Sequence, residues 1–307
     1  MATLEIAADA MVTLVEEFMG WTSPTAPQSA QALEWLNKGY RRFLKGAYPN
    51  ERGGTERHTW SFLRPTATIT LWSDVDGGAV TVSGAGNTTV TVAAATFYAT
   101  MVGATITMDT SGNTYTITGY TSTTVVTVSA DASADDGDTF TMTADGVYRL
   151  PSDWGGKRSD PVLTNAAGNS TDWEEITPTE MDRRHRDDVT ASDPSYEYCI
   201  QPGALGTTQQ VYDMKVWPIP ASDTVIRWPY KARPGALTDA ADVYAVGGEE
   251  HCDTIVACAL AVAEFETHRK AGDEEGNAMR AMRDSVMVDE QLFDSDVDVP
   301  DQLGWEE

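Results

Sequence analysis

The side chains of this 307-residue chain that could carry chemistry are 4 histidines, 3 cysteines and 47 carboxylates. A serine nucleophile would need a Gly-x-Ser-x-Gly elbow and a nearby base, and His58, His185, His251 and His268 stand beside no such elbow. His185 lies in Asp182-Arg183-Arg184-His185-Arg186-Asp187-Asp188, where blocks of opposite charge read as an exposed, ion-paired loop or helix face. His251, Cys252 and Cys258 put three metal-ligand types near one helix. The six-residue spacing points the two thiols to opposite faces, and Cys-x-x-Cys and His-Glu-x-x-His are both missing. The cysteines therefore read as small buried hydrophobes.

Other candidates fail for equally specific reasons. Asp294, Asp296 and Asp298 alternate as a calcium loop does at its start, without the glycine and distal glutamate that complete one. Gly84-Ala85-Gly86-Asn87 lacks the further glycine of a phosphate-cradling turn and sits in a strand-turn meander. With so many carboxylates, no glycosidase pair can be selected by spacing. Trp60, Phe62, Trp72, Trp154, Trp173, Trp217 and Trp228 offer either a carbohydrate platform or core and interface anchors, and anchors are the commoner use. The motifs point to no cofactor, no metal and no catalytic role.

The elements that would position these residues fall into three kinds. At the N-terminus, Leu4 to Phe18 predicts a first helix with Ile6, Ala10, Leu14 and Phe18 on its packing stripe. A second helix is predicted over Ser29 to Tyr48, with Ser29 as cap, Pro24 and Pro27 before it, and Leu33, Leu36, Tyr40, Phe43, Leu44 and Ala47 at helical spacing. Near the C-terminus, Cys252, Ile255, Val256, Ala259, Val262 and Ala263 predict a third helix from Gly248 onward. Gly272 interrupts it, and Asp273 to Phe293 predicts a fourth.

Between them the composition changes. Residues 66 to 145 hold 22 Thr and 8 Asp and no Lys or Arg. Ile69/Leu71, Val80/Val82, Val90/Val92, Ile106/Met108, Tyr115/Ile117, Val126/Val128 and Phe140/Met142 alternate with polar residues, as half-solvated strands do. Turn chemistry such as Asp76-Gly77-Gly78 and Ser111-Gly112-Asn113 separates them. Five to seven short antiparallel strands in a small barrel or sandwich are expected. Strands are also expected over Val147 to Leu150, Tyr196 to Gln201, Gln209 to Trp217 and Thr224 to Tyr230, the last two as a hairpin. The fold class is α+β, because helices and strands are segregated along the chain.

The net charge is -26, from 21 Lys and Arg against 47 Asp and Glu. Such a surface repels phosphate, so gripping nucleic acid is excluded as the main task. The charge is uneven: the insert carries -8, residues 273 to 307 carry 12 acidic against 2 basic residues, and all the rest amounts to -8. Residues 284 to 307 contain nine acidic residues and no basic one, a pattern typical of an interaction arm. No apolar run reaches membrane-spanning length, the first twenty residues lack a basic start, and three cysteines make no disulfide framework, so an intracellular assembly site is expected.

The order of segments resembles the head-to-tail adaptor, or connector, proteins of tailed bacteriophages, including the podovirus tail tubular A type. The likeness is carried by the helix from Ala32-Leu33-Glu34-Trp35 to Arg42-Phe43-Leu44 and by Trp60-Ser61-Phe62-Leu63. Further on it is carried by Tyr148-Arg149-Leu150-Pro151-Ser152-Asp153-Trp154, Val216-Trp217-Pro218-Ile219-Pro220, Pro229-Tyr230-Lys231-Ala232-Arg233-Pro234 and the helix Ala257 to Glu264. The resemblance implies an adaptor core of 1–65 and 146–293, made of a helical bundle and a β hairpin, interrupted by a Thr-rich β domain of 66–145 and followed by an acidic arm, 294–307. It implies a virion protein of the neck, assembled in the host cytoplasm. It would form a ring of about twelve copies, bind the portal protein and a tail nozzle or tail tube protein, and let DNA pass without specific binding. The arm, with Asp294, Asp296, Asp298, Pro300, Leu303 and Trp305, is the expected portal interface. The alternative is a carbohydrate-binding or adhesin-like protein built on the Thr-rich module.

Overall fold

The computed structural model describes residues 5–49, 54–163, 173–187, 196–203 and 210–293. Five α-helices appear among them: α1 Ala8–Phe18, α2 Ala26–Leu44, α3 Pro178–Asp187, α4 Cys252–His268 and α5 Asp273–Phe293. The first strands are β1 Ala47–Pro49, β2 Thr55–Arg57, β3 Thr66–Leu71, β4 Val75–Gly77, β5 Val80–Ser83 and β6 Thr89–Val92. Then come β7 Thr105–Met108, β8 Thr114–Ser122, β9 Val125–Val128, β10 Phe140–Met142, β11 Val147–Arg149 and β12 Trp154–Lys157. The last are β13 Val162–Leu163, β14 Trp173–Glu175, β15 Tyr196–Pro202, β16 Tyr212–Trp217 and β17 Thr224–Ala232. The class is α+β, as the segregation predicts.

The chain divides into two units, one formed by its two ends (to Arg64 and from Pro234), the other by Pro65–Arg233. In the first unit α2 packs on α4, α4 on α5, and α1 on both α2 and α4. Gly39 sets how close α2 and α4 come. A Cβ there would lie 2.4 Å from the Ala259 backbone nitrogen and 2.5 Å from its Cα, so only a glycine fits. Met11 and Val15 of α1, Trp35, Leu36 and Phe43 of α2, Cys258 of α4 and Met282 of α5 are buried in this unit.

Three helix details differ from the sequence expectation. The start of α2 is Thr25, whose N–H and hydroxyl both donate to the Gln28 side chain (2.8 and 2.9 Å), and not Ser29. Pro27 lies inside the first turn, where a missing N–H costs nothing. The α2 helix also ends at Leu44, short of Tyr48, because Gly46 takes φ +59° and the chain turns into β1. In α1 the predicted packing stripe faces outward. Met11, Val12 and Val15 are buried, whereas Leu14 and Phe18 are 39% and 42% exposed. This short helix has apolar residues on most of its circumference, so periodicity alone does not choose its inner face.

The second unit is built of strands. The predicted apolar pairs from Val80/Val82 to Phe140/Met142 all lie on strands of one curled antiparallel sheet, ordered β4-β10-β7-β8-β9-β6-β5. Its seventh strand, Val75–Gly77, occupies what reads in sequence as a turn. At the far edge, Val80 of β5 accepts from Gly137 and donates to the carbonyl of Asp138 (both 2.8 Å). Ile69 and Leu71 lie on β3, which pairs with β17 (Thr66 opposite Pro229, Leu71 opposite Thr224).

The expected hairpin occurs one strand earlier. The antiparallel pair is β15–β16, in a sheet ordered β11-β16-β15-β14, while β17 joins β3, β12 and β13 in another. Pro218 and Pro220 between β16 and β17 lack the N–H groups that a tight ladder turn would use. Only the β14–β15 pairing is parallel among the described strands.

Candidate functional site

In the first unit Lys38 pairs with Glu34 and Glu266 and Arg42 with Glu275, and a further group of titratable side chains gathers around the buried carboxylate of Asp289 on α5. Gly46 makes this possible: a Cβ there would lie 2.2 Å from the His58 carbonyl, and the His58 N–H donates to the Gly46 carbonyl at 2.8 Å. Beyond β2, the chain at His58–Ser61 thereby reaches α5. Asp289 accepts from the Ser61 N–H (3.0 Å) and from the Ser61 hydroxyl (2.5 Å), and it pairs with His58 Nε2 at 2.6 Å. Its side chain is 3% exposed. Burial pushes the Asp289 carboxyl upward, but the hydrogen bonds from Ser61 and His58 outweigh it and hold the group below the usual carboxylate range.

An aromatic shell closes the site. The Trp60 ring lies tilted 4.4 Å from Phe43 and stacks 5.5 Å from Phe62, and its indole N–H donates to the Phe43 carbonyl at 2.8 Å. His251 stands 5.2 to 5.5 Å from all three rings, and Nδ1 of its buried ring has no hydrogen-bond partner. Burial lowers its pKa against the pull of the Asp289 carboxylate, so the imidazole stays neutral.

The order of the polar groups decides what they can do. In a hydrolytic triad the histidine stands between serine and aspartate and takes the serine proton. Here the aspartate stands between them, so Ser61 gives its hydrogen bond to a weakly basic carboxylate and not to an imidazole. The arrangement ties β2 and the following turn to α5.

The remaining charged clusters of the second unit are likewise bonded within themselves. Lys157 bonds to Glu175, to Asp160 (3.1 Å) and to the Tyr198 hydroxyl (3.2 Å), and the hydrogen bond to Glu175 above all keeps its pKa raised. A Schiff-base lysine needs the opposite shift. Asp135 is buried and accepts from the Tyr115 hydroxyl and from Asn113 Nδ2 (3.1 Å to each oxygen). The Tyr115 phenol is pushed up to about 12, chiefly by that hydrogen bond. Asp138 caps a loop by accepting from the Thr110 hydroxyl (2.6 Å) and the N–H groups of Thr110, Ser111 and Thr139. Several aspartates of the insert therefore serve its own turns.

The candidates from sequence are placed as follows. Cys199, Cys252 and Cys258 are free and buried, and among the described residues no group of three His, Cys, Asp or Glu side chains is placed to hold a metal. His185 is on α3, with Nε2 3.1 Å from the Val216 carbonyl, and beside it Arg184 pairs with Glu197 at 2.9 Å. Trp60, Trp72, Trp154, Trp173 and Trp228 are buried, so they are core and offer no platform to a sugar. No described helix is long and apolar enough to cross a membrane. Asp284 and Asp289 belong to α5, whereas Asp294, Asp296, Asp298, Pro300, Leu303 and Trp305 lie outside the described residues.

Asp289 was hidden from sequence reasoning by its 231-residue separation from His58. One signal did exist, since Ala278, Met282, Ser285, Val286 and Asp289 share the buried stripe of α5. An aspartate at that spacing marks a charge that needs partners. Compared with known proteins, the chain matches no protein family and no curated protein.

Proposed function

We propose that this chain is a structural subunit of the head-to-tail junction of a tailed bacteriophage. In this reading it is an adaptor that forms a ring of about twelve copies beneath the portal and continues the DNA channel toward the tail. The observation that carries the reading is that the two ends of the chain make one helical unit, with α2 and α4, the two helices of the resemblance, packed on each other at Gly39 and Ala259. We read α1, α2, α4 and α5 as the helical bundle of the adaptor core and the β4–β10 sheet as the inserted barrel. The two Val80 hydrogen bonds, with Gly137 and with Asp138, support that reading.

Two further features support a structural role over an enzymatic one. The charged clusters described above are saturated by internal bonds, and the histidine beside Ser61 is not placed to activate it. The excess of 26 negative charges suits a protein that surrounds DNA without holding phosphate, because repulsion from all sides keeps the duplex from adhering. The arm beyond Phe293 is the proposed portal contact, with Trp305 as its anchor.

The test is negative-stain electron microscopy of the purified chain with and without a portal, repeated for a chain truncated after Phe293. Rings that dock on the portal, and truncated rings that do not, are expected. Monodisperse monomers that ignore the portal refute the reading.

A further inference from the structure

We infer that His251 makes the first unit an acid-sensitive switch: a proton taken up by its ring drives the turn Glu249–His251 and the start of α4 off the aromatic shell and opens the helical unit, while the second unit stays closed. The inference concerns the subunit alone and is independent of ring formation. His251 is 2% exposed, and its ring is enclosed by those of Phe43, Trp60 and Phe62. An imidazolium carries an N–H on both ring nitrogens, so Nδ1, which has no hydrogen-bond partner, becomes a charged donor with nothing to accept it. A buried charge without a partner is the most costly polar group a core can hold. The backbone before the ring is tight and yet able to turn. A Cβ on Gly247 would lie 3.2 Å from the His251 ring and 3.3 Å from Phe62, and Gly247 and Gly248 take φ +128° and +81°, left-handed conformations that suit glycine. These two glycines form the hinge on which the turn leaves the shell.

The charged and titratable groups that act on the ring are Asp289 of α5, Glu250 of its own turn and His58 of the segment after β2, while α2 presents the Phe43 ring. Asp289 draws a proton toward His251, but both of its oxygens already serve Ser61 and His58. Glu250 is exposed to water, which weakens its pull. Burial outweighs both acids and holds the imidazole below its ordinary value of 6.5. The sign of the effect follows. Below pH 6.5 the unfolded or opened chain binds a proton that the closed unit rejects, so the closed form loses stability as pH falls, by up to about tenfold in the opening equilibrium per pH unit. The second unit has no matching group. Its one histidine, His185, is half-buried with Nε2 3.1 Å from the Val216 carbonyl. Asp131, Asp135, Asp138, Asp160 and Asp182 of that unit are held below 3.8, each chiefly by a side-chain hydrogen bond, and stay ionised between pH 6.5 and 5.

The experiment measures amide hydrogen exchange of the full chain at pH 6.5 and pH 5, as protection factors corrected for the intrinsic pH dependence of exchange, in wild type, His251→Leu and His251→Gln. In wild type the protection of α4 (Cys252–His268) is expected to fall by about tenfold, and that of β8 (Thr114–Ser122) to stay constant. Both variants, which keep His58, Asp289 and Glu250, are expected to hold the same α4 protection at the two pH values. Constant α4 protection in wild type overturns the inference. A fall that persists in both variants overturns it as well, as does one that β8 shares equally. Wild type labelled with carbon-13 histidine gives a reading that does not depend on the variants folding. Of its four ring signals one is expected to keep its neutral position at pH 5.5 as long as the chain is folded, and four signals that all titrate near 6.5 overturn the inference.

Discussion

Replacing Asp289 tests whether a buried carboxylate joins the two ends of the chain. Asp289→Asn keeps shape and volume but supplies one acceptor oxygen where the carboxylate serves the Ser61 N–H, the Ser61 hydroxyl and His58. Hydrogen bonds to a charged group contribute about 1.5–3 kcal/mol, so a loss of that size is expected. Asp289→Ala leaves the Ser61 N–H, the Ser61 hydroxyl and His58 all without this acceptor, and is expected to cost more than the Asn variant, about 3 kcal/mol or above. With a urea slope of about 1–3 kcal/mol/M, the Asn variant should unfold roughly 1 M earlier at pH 7. The sign with pH follows from the lowered pKa of Asp289. Its contribution is complete above the unfolded value of 3.8 and fades as pH falls below that toward the lower folded value, so the gap between wild type and Asp289→Asn should narrow in acid. Hydrogen exchange of the Ser61 amide, which donates directly to Asp289, localises the effect. Equal midpoints at pH 7, or a gap that does not narrow below pH 3.8, would refute the reasoning.

Three other outcomes follow from the packing. Gly39→Ala places a methyl group against the Ala259 backbone and should lower stability by about 1–3 kcal/mol, read as a drop in Tm, whereas Gly235→Ala, in open space, should leave it unchanged. Burial pushes the Cys258 thiol up to about 12, so a thiol reagent at pH 8 should leave Cys258 unmodified in the folded chain and label it once urea unfolds the protein; labelling at the native rate of an exposed thiol would contradict this. Tyr115→Phe removes the hydroxyl donor of the buried Asp135 and should destabilise the curled sheet by about 1.5 kcal/mol, measured by hydrogen exchange of β7 and β8.

How far the fold could be read in sequence depended on how many faces each element buries. The α5 helix matches its predicted bounds, Asp273 to Phe293, because its apolar residues form one stripe against a polar surround. The strands of the insert were legible for the same reason, with alternate residues such as Val90 and Val92 buried and Thr89 and Thr91 half-exposed. α1 was legible as a helix but not in orientation, since both of its faces carry apolar residues. The partners of β16 and β17 were not legible, because chain neighbours suggested a hairpin and the actual partners of β17 include β3, more than 150 residues away. Of the site around Asp289, the sequence shows the residue types and one misplaced charge on an apolar stripe. The meeting of His58, Ser61 and Asp289 depends on the whole of the second unit being looped out between them.

That looping sets an order of events during synthesis. The first unit needs α1 and α2 from the start of the chain and α4 and α5 from its end. A ribosome making about 5–20 residues per second takes on the order of tens of seconds to travel from Leu44 to Phe293. Throughout that interval the inner face of α2, with Trp35, Leu36 and Phe43, has emerged without α4 to cover it, while the residues of the second unit are already complete. The α5 helix then delivers Asp289 to His58 and Ser61. A nascent chain in which α4 and α5 have not yet been made therefore lacks a finished first unit.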